Sequence, residues 1–288
     1  MKSVPKQLVI DKDVFQGTST QSLCDFARSH FLVLPDDLYY ECASTDRMQQ
    51  ELLDRFRDVI LAGGCICPRR NKIIQEEAKT LSPYGTLVDM NTISAVRQTF
   101  QENKRPYNPE DIETAYRDEL EMAQIIINIA DGFTQKLASE QPELLAKMRK
   151  CDSSKKSRPK RFIKWIELVD SQDIIHQASE EMLKGFTNRP DKFCLSEEWV
   201  SWHLMRLYLI LLQERTLLRH TGDNSGQISI EHDLQDITYV LLLTRADGLL
   251  TRDKDLVIPL AKAAFPEKDV FSKIDDVPEE YLGDWIYQ

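Results

Sequence analysis

The sequence predicts an α/β protein whose mostly parallel sheet is built from both ends of the chain, interrupted by a large all-helical insertion. Two patterns predict this. Residues 1–45 and 228–288 alternate short apolar runs with helical spacing, whereas residues 46–227 carry helical spacing almost throughout. Alternating strands and helices imply a parallel sheet covered by helices. A third observation is composition. With 288 residues, 42% hydrophobic and 29% charged, the chain has enough apolar area for a sizeable core and does not read as disordered.

The first element is the β-branched run Leu8, Val9, Ile10, stopped by Asp11. Such a run reads as a strand buried on both faces. A helix follows with a Ser or Thr N-cap between Gly17 and Thr20, carrying Leu23, Phe26 and Ala27. Phe31 to Leu34 is a second extended run, and Pro35-Asp36-Asp37 opens a helix with acids in its first turn. The helical segment supplies amphipathic stretches at 48–62, 108–137, 171–186 and 196–218, the last with Ser196 as its expected N-cap. Residues 63–72, GGCICPRRNK, read as a Gly/Pro loop. Beyond Gly226 a helix at 234–243 is opened by His232 and Asp233. A strand at 248–251, a helix at 255–264 stopped by Pro266, and a last strand at 269–271 complete the chain.

A net charge of −10 argues against holding nucleic acid through the field of the whole molecule. A local basic track remains compatible with it, because screening limits a charge's reach to about 8–10 Å. The most apolar stretch, 200–218, contains His203, Arg206, Glu214 and Arg215, so it reads as a buried helix and no membrane partner is expected. The polar start, MKSVPK, does not read as a leader peptide. Of the six cysteines only Cys65 and Cys67 are close, and C-x-C lacks zinc-ligand spacing. Reduced, mostly buried thiols and a cytoplasmic location are the expectation.

Acids stand where site chemistry wants them. Asp11 and Asp253 each follow the carboxyl end of a strand, where open parallel sheets bind their ligands. If the two strands are neighbours, the carboxylates converge and repel unless a cation neutralises them. Magnesium suits such a group of hard oxygen ligands. Glu41 lies on the helix after Pro35, and Asp236 near the start of the helix leading to Leu243. Each acid has a plainer reading: Asp11 as a cap of the next turn, Glu41 as a solvated helix residue, and Asp233 as the acid that competes with Asp236.

Residues 236–256, DITYVLLLTRADGLLTRDKDL, resemble the last half of a PIN domain: a helix starting near an Asp, a small residue, an apolar strand, then Thr-x-Asp. LVIDKD at 8–13 resembles that family's opening strand, and PDDLYYE at 35–41 its Pro-then-Glu helix. The resemblance covers the first 45 and last 60 residues, roughly. It implies a three-layer α/β/α domain and a magnesium- or manganese-dependent endonuclease, most often acting on RNA. Single-stranded or structured DNA is the alternative substrate, and a non-catalytic binding module on the same fold the alternative class. Carried over by position, the catalytic set is Asp11, Glu41, Asp236 and Asp253, with Asp11, Asp236 and Asp253 as metal ligands. Spacing to Thr251-x-Asp253 favours Asp236 over Asp233, which then becomes the N-cap. Asp13 departs from the family, which has Ser, Thr or Asn there. It either adds an acid to the site or caps a turn.

Residues 147–164 hold nine Lys or Arg against one acid, and their Ser/Lys/Pro centre is expected to be mobile. They read either as a solvated linker or as a phosphate track, with Lys155, Lys156, Arg158, Lys160, Arg161 and Lys164 as the contacts. Phe162 and Trp165 read as stacking residues or as the start of a core helix. Pro68 to Lys72 is a second basic candidate. The helical insertion, through Trp199, Trp202 and Tyr208, offers a surface for a second copy or a protein partner.

Overall fold

The computed structural model describes residues 5–43, 49–108, 110–114, 154–170, 174–186, 193–221 and 230–282, with scattered positions between 117 and 146. Its strands are β1 (Gln7–Ile10), β2 (Phe31–Pro35), β3 (Cys65–Cys67), β4 (Gly248–Leu250) and β5 (Asp269–Phe271). They form one five-stranded sheet in the order β3-β2-β1-β4-β5, and every pairing is parallel. The protein is therefore mixed α/β. The apolar runs explain the central strands: Leu8 to Ile10, Phe31 to Pro35 and Gly248 to Leu250 are buried, as parallel strands covered on both faces must be.

Between β1 and β2 lie α1 (Lys12–Gly17) and α2 (Thr20–Ser29); between β2 and β3 lie α3 (Asp36–Ala43) and α4 (Gln49–Ala62). After β3 come α5 (Arg70–Thr80), α6 (Met90–Gln101), α7 (Arg158–Asp170), α8 (Ile174–Lys184), α9 (Val200–Thr221) and α10 (Ile230–Leu241). The helix α11 (Val257–Ala264) joins β4 to β5. Ser19 caps α2 as expected, its hydroxyl accepting from Ser22 N at 3.1 Å. Among the described residues no helix is long and apolar enough to cross a membrane.

The chain runs outward from β1 through β2 to β3, then returns to the other side of β1 to lay down β4 and β5. The β1/β4 boundary is thus the point where the winding reverses, and crevices at such points take ligands. Ile10 pairs with Leu250, and Asp11 N donates to Leu250 O at 2.9 Å. The two predicted strand ends are neighbours.

Several expectations need correction. Residues 63–72 contain β3, so the 46–227 segment is not all helical and contributes an edge strand to the sheet. The segment's helices also share one contiguous hydrophobic cluster with the sheet, from Leu8 through Trp199 to Tyr281. Residues 158–164 belong to the ordered helix α7, where a mobile segment was expected. The helix expected from 196 begins at Val200, and its first amides are capped from elsewhere: Glu77 of α5 accepts from Val200 N and Ser201 N, each at 2.8 Å. Trp199 and Tyr208 are buried, which removes them from any partner surface. The helix expected to open at Asp233 is already formed at Ile230, so Asp233 lies inside α10 and does not cap it. Most of the helix expected over 108–137 lies outside the described residues.

Candidate acidic site at the strand ends

Asp11 follows the last residue of β1 and is 3% exposed. It stands at the N-cap position of α1, yet its side chain makes no capping bond. Instead Asp11 Oδ2 accepts from the buried Thr251 Oγ1 at 2.6 Å, which ties the end of β1 to the end of β4. Burial pushes the Asp11 carboxyl up to about 8; the charges of Asp13 and Glu41 add to the rise, and the Thr251 hydroxyl opposes it.

Asp236 projects from α10 toward the same edge. Its carboxyl is also pushed up to about 8, first by burial and then by Asp11, Asp253, Glu41 and Asp233, all negative. Asp233 is held differently: it is buried and accepts from Arg215 Nη2 at 2.8 Å. Of the two acids, Asp236 is the one on which the charge of Asp11 acts, while Asp233 is held by Arg215.

Glu41, on α3, is buried, and both its oxygens are engaged. Tyr239 Oη donates to Oε1 at 2.8 Å, and Lys12 Nζ lies 3.3 Å from Oε2. Burial raises its carboxyl to about 7 against the opposing pull of Lys12 and Tyr239.

Asp253 is turned toward α11. Its Oδ1 accepts from Asp255 N at 2.7 Å and Leu256 N at 3.0 Å, and its Oδ2 from Val257 N at 3.4 Å. It caps that helix while remaining near enough to act on Asp236 and Asp13. Asp13 accepts from Arg252 N at 2.9 and 3.1 Å, so it clamps α1 to the loop after β4. Its carboxyl is raised by burial, with the Arg252 amide opposing.

The basic track looks different from its sequence. Arg158 and Arg161 are each 4% exposed and close on Glu214, which is 1% exposed. Arg161 Nε donates to Glu214 Oε2 at 2.9 Å, Arg158 Nε to Oε1 at 3.3 Å and Trp165 Nε1 to Oε2 at 3.2 Å. Two guanidiniums buried on a carboxylate do not meet phosphate, so both leave the expected contact set. Lys156, Lys160 and Lys164 are exposed; the side chain of Lys155 lies outside the described residues. Phe162 and Trp165 are core residues. In the second basic segment Arg69 is buried over the Tyr40 ring, and Arg70 is buried against α10, donating to Leu234 O and Thr238 Oγ1, both at 2.9 Å. Only Lys72 of its three cations is exposed. Cys24, Cys42, Cys65 and Cys67 are buried free thiols, while Cys194 is exposed.

Lys12, Tyr239, Thr251 and Arg70 are parts of the site that sequence reasoning did not assign. Tyr239 had a signal, three residues after Asp236 on the same helix face. Arg70 had none, because its partners lie 164 and 168 positions away.

The donor set is hard oxygen with surplus negative charge, which is the chemistry that Mg²⁺ or Mn²⁺ takes. The placement is looser than a finished coordination shell: among the described residues no three Asp, Glu, His or Cys side chains stand close enough together to hold an ion. The convergence is thus electrostatic, with Lys12 the cation in contact with Glu41. In comparisons with known proteins no family model matches the chain, and neither a curated protein nor a solved structure matches it.

Proposed function

We propose that this chain is a divalent-metal-dependent nuclease that hydrolyses phosphodiesters, RNA before DNA, on a PIN-like three-layer α/β/α fold. One observation carries the reading. Asp11, Asp236 and Glu41 sit near the reversal point of a parallel sheet, and burial pushes their carboxyls up to about 8, 8 and 7, so ionising all of them in the metal-free protein is costly. Buried charge arranged against its own stability marks functional sites more often than structural ones.

Asp11 and Asp236 would hold the ion, with Glu41 closing the shell and Asp253 acting from the base of α11. The chemistry such an ion would supply is a lowered pKa for a water and stabilised charge on the leaving oxygen. The side chains do the positioning. Thr251 fixes the Asp11 carboxylate through its 2.6 Å bond. Tyr239 fixes Glu41, and Arg70 holds the first turns of α10 in place through Leu234 O. Exposed Lys156, Lys160 and Lys164 are the surviving candidates for phosphate contact among the described residues of the basic segment.

The orientation of Asp253 favours a second reading, a non-catalytic nucleic-acid or protein-binding module on this fold, since three backbone N–H groups already occupy its carboxylate. Cleavage of end-labelled single- and double-stranded RNA and DNA, in Mn²⁺, Mg²⁺ or EDTA, separates the two. The nuclease reading expects metal-dependent cutting that Asp11→Asn and Asp236→Asn each reduce by about a hundredfold or more. Folded, metal-loaded protein that cuts none of these substrates would support the binding module.

A further inference from the structure

At the opposite edge of the sheet from Asp11, the residues leading into β4 and β5 meet the first turns of α9 around a cavity of about 390 Å³. Leu243, Ala264 and Phe265 give it an apolar floor, and all three are buried. Glu197, Glu267 and Lys268 also line it, and both glutamates are exposed, so the cavity opens to solvent on their side. Among the described residues none of these three charged side chains is in an ion pair. Arg206 lines the cavity too, but its guanidinium is already engaged. Nε and Nη2 donate to the Asp170 carboxylate at 2.8 and 2.7 Å, and Nη1 donates to Ala264 O at 3.0 Å.

His203 forms part of the wall and is 7% exposed. Its Nε2 lies 2.8 Å from Glu197 O, and a carbonyl only accepts, so Nε2 carries the hydrogen and Nδ1 presents a lone pair. Burial pushes the imidazole down to about 4, with the bond to Glu197 O opposing, so the ring is neutral at physiological pH and Nδ1 stays an acceptor. Yet Nδ1 is buried without a hydrogen-bond partner. A buried acceptor left open costs stability, and a donor on a bound molecule would satisfy it.

The volume lies at the small end of the range for small-molecule sites, roughly 300–1,000 Å³. The polar groups call for both charges on one ligand: a cationic donor for His203 Nδ1 beside Glu197 and Glu267, and an anion for Lys268. The floor calls for an apolar group. We propose that this cavity binds a free α-amino acid with an apolar side chain, its ammonium donating to His203 Nδ1 and facing the two glutamates, its carboxylate on Lys268, and its side chain on Leu243 and Phe265. The site lies at the amino ends of the strands, away from the acidic edge, and stands whether or not that edge takes a metal.

The test is calorimetric titration of the full chain, in EDTA at neutral pH, with L-alanine, L-valine, L-leucine, L-methionine and L-phenylalanine. At least one of the five should bind at one site per chain. It should bind at least tenfold tighter than the amine and the carboxylic acid that each lack one of its charged groups, and Lys268→Met should weaken it at least tenfold. In wild type labelled with ¹⁵N-histidine, saturation should move the Nδ1 resonance of His203, identified by its absence from His203→Gln, upfield toward the hydrogen-bonded range. That resonance is read on wild type, so the test holds even if a variant folds poorly. No binding by any of the five, equal binding of the amine or the acid, unchanged affinity in Lys268→Met, or an unmoved Nδ1 resonance at saturation would each overturn the assignment.

Discussion

Two clusters of buried charge sit within the same fold and handle it in opposite ways. Around Glu214, two guanidiniums and an indole N–H meet one carboxylate, and Arg158 also donates to Asp255 O at 2.6 Å. That cluster joins α7 to α9 and to the loop before α11, and its charge is compensated from within. At the β1/β4 edge, Asp11 and Glu41 act on Asp236 as like charges, and Lys12 is in contact with Glu41. Removing one member of a compensated cluster orphans the rest, whereas removing one member of a repelling cluster relieves it. The first cluster therefore holds the fold together, and the second is a place where burying like-charged carboxyls costs the fold stability.

The contrast can be broken first at Glu214. Glu214→Ala strands two buried guanidiniums and should cost about 3–5 kcal/mol in urea unfolding. Asp236→Asn, in EDTA at neutral pH, should cost nothing or stabilise. A Glu214→Ala cost below about 1 kcal/mol, together with a larger loss for Asp236→Asn, would erase the distinction.

The next effect is in pH. The folded pKa values of Asp11 and Asp236, about 8, lie above those of the unfolded chain. Between roughly pH 4 and 8 the folded state then binds more protons than the unfolded state, so stability falls as pH rises. Metal-free protein should lose about 2–4 kcal/mol from pH 5 to pH 8. Asp11→Asn should flatten that slope. A slope that rises with pH, or one indifferent to this substitution, would show that the acids are compensated after all.

The smallest effect sharpens the picture. Tyr239→Phe deletes the hydroxyl on Glu41 and should cost about 1 kcal/mol. Because that hydroxyl favours ionised Glu41, its removal should raise the Glu41 pKa above about 7, measurable by carboxyl-labelled NMR.

Much of this was legible in sequence, for physical reasons that differ by element. β1, β2 and β4 are apolar runs buried on both faces, and such runs announce themselves. β3 did not, because Cys65-Ile66-Cys67 is three residues long between glycines and a proline, and its strand form comes from pairing with β2. The positions of Asp11 at a strand end and of Glu41 and Asp236 on the helices α3 and α10 were readable because strand ends and helix starts have sequence signatures. The fate of Arg158 and Arg161 was not: a run of cations looks solvated until a carboxylate 53 to 56 positions away closes on it. Asp253 was read as a ligand from its motif, but its capping of α11 depends on loop geometry that only the fold specifies.

The proposal that the acids at the β1/β4 edge ionise on taking up a divalent cation is tested most directly by a thermal melt. Wild type and an Asp11→Asn, Asp236→Asn double variant would be unfolded at pH 7.5 in EDTA and in Mn²⁺. An ion that binds only the folded state, at about a hundred times its dissociation constant, adds about 2.7 kcal/mol and should raise the wild-type midpoint by about 5 °C or more. The double variant should start at least as stable in EDTA and should not shift. An unmoved wild-type midpoint, or an equal shift in the double variant, would contradict the account.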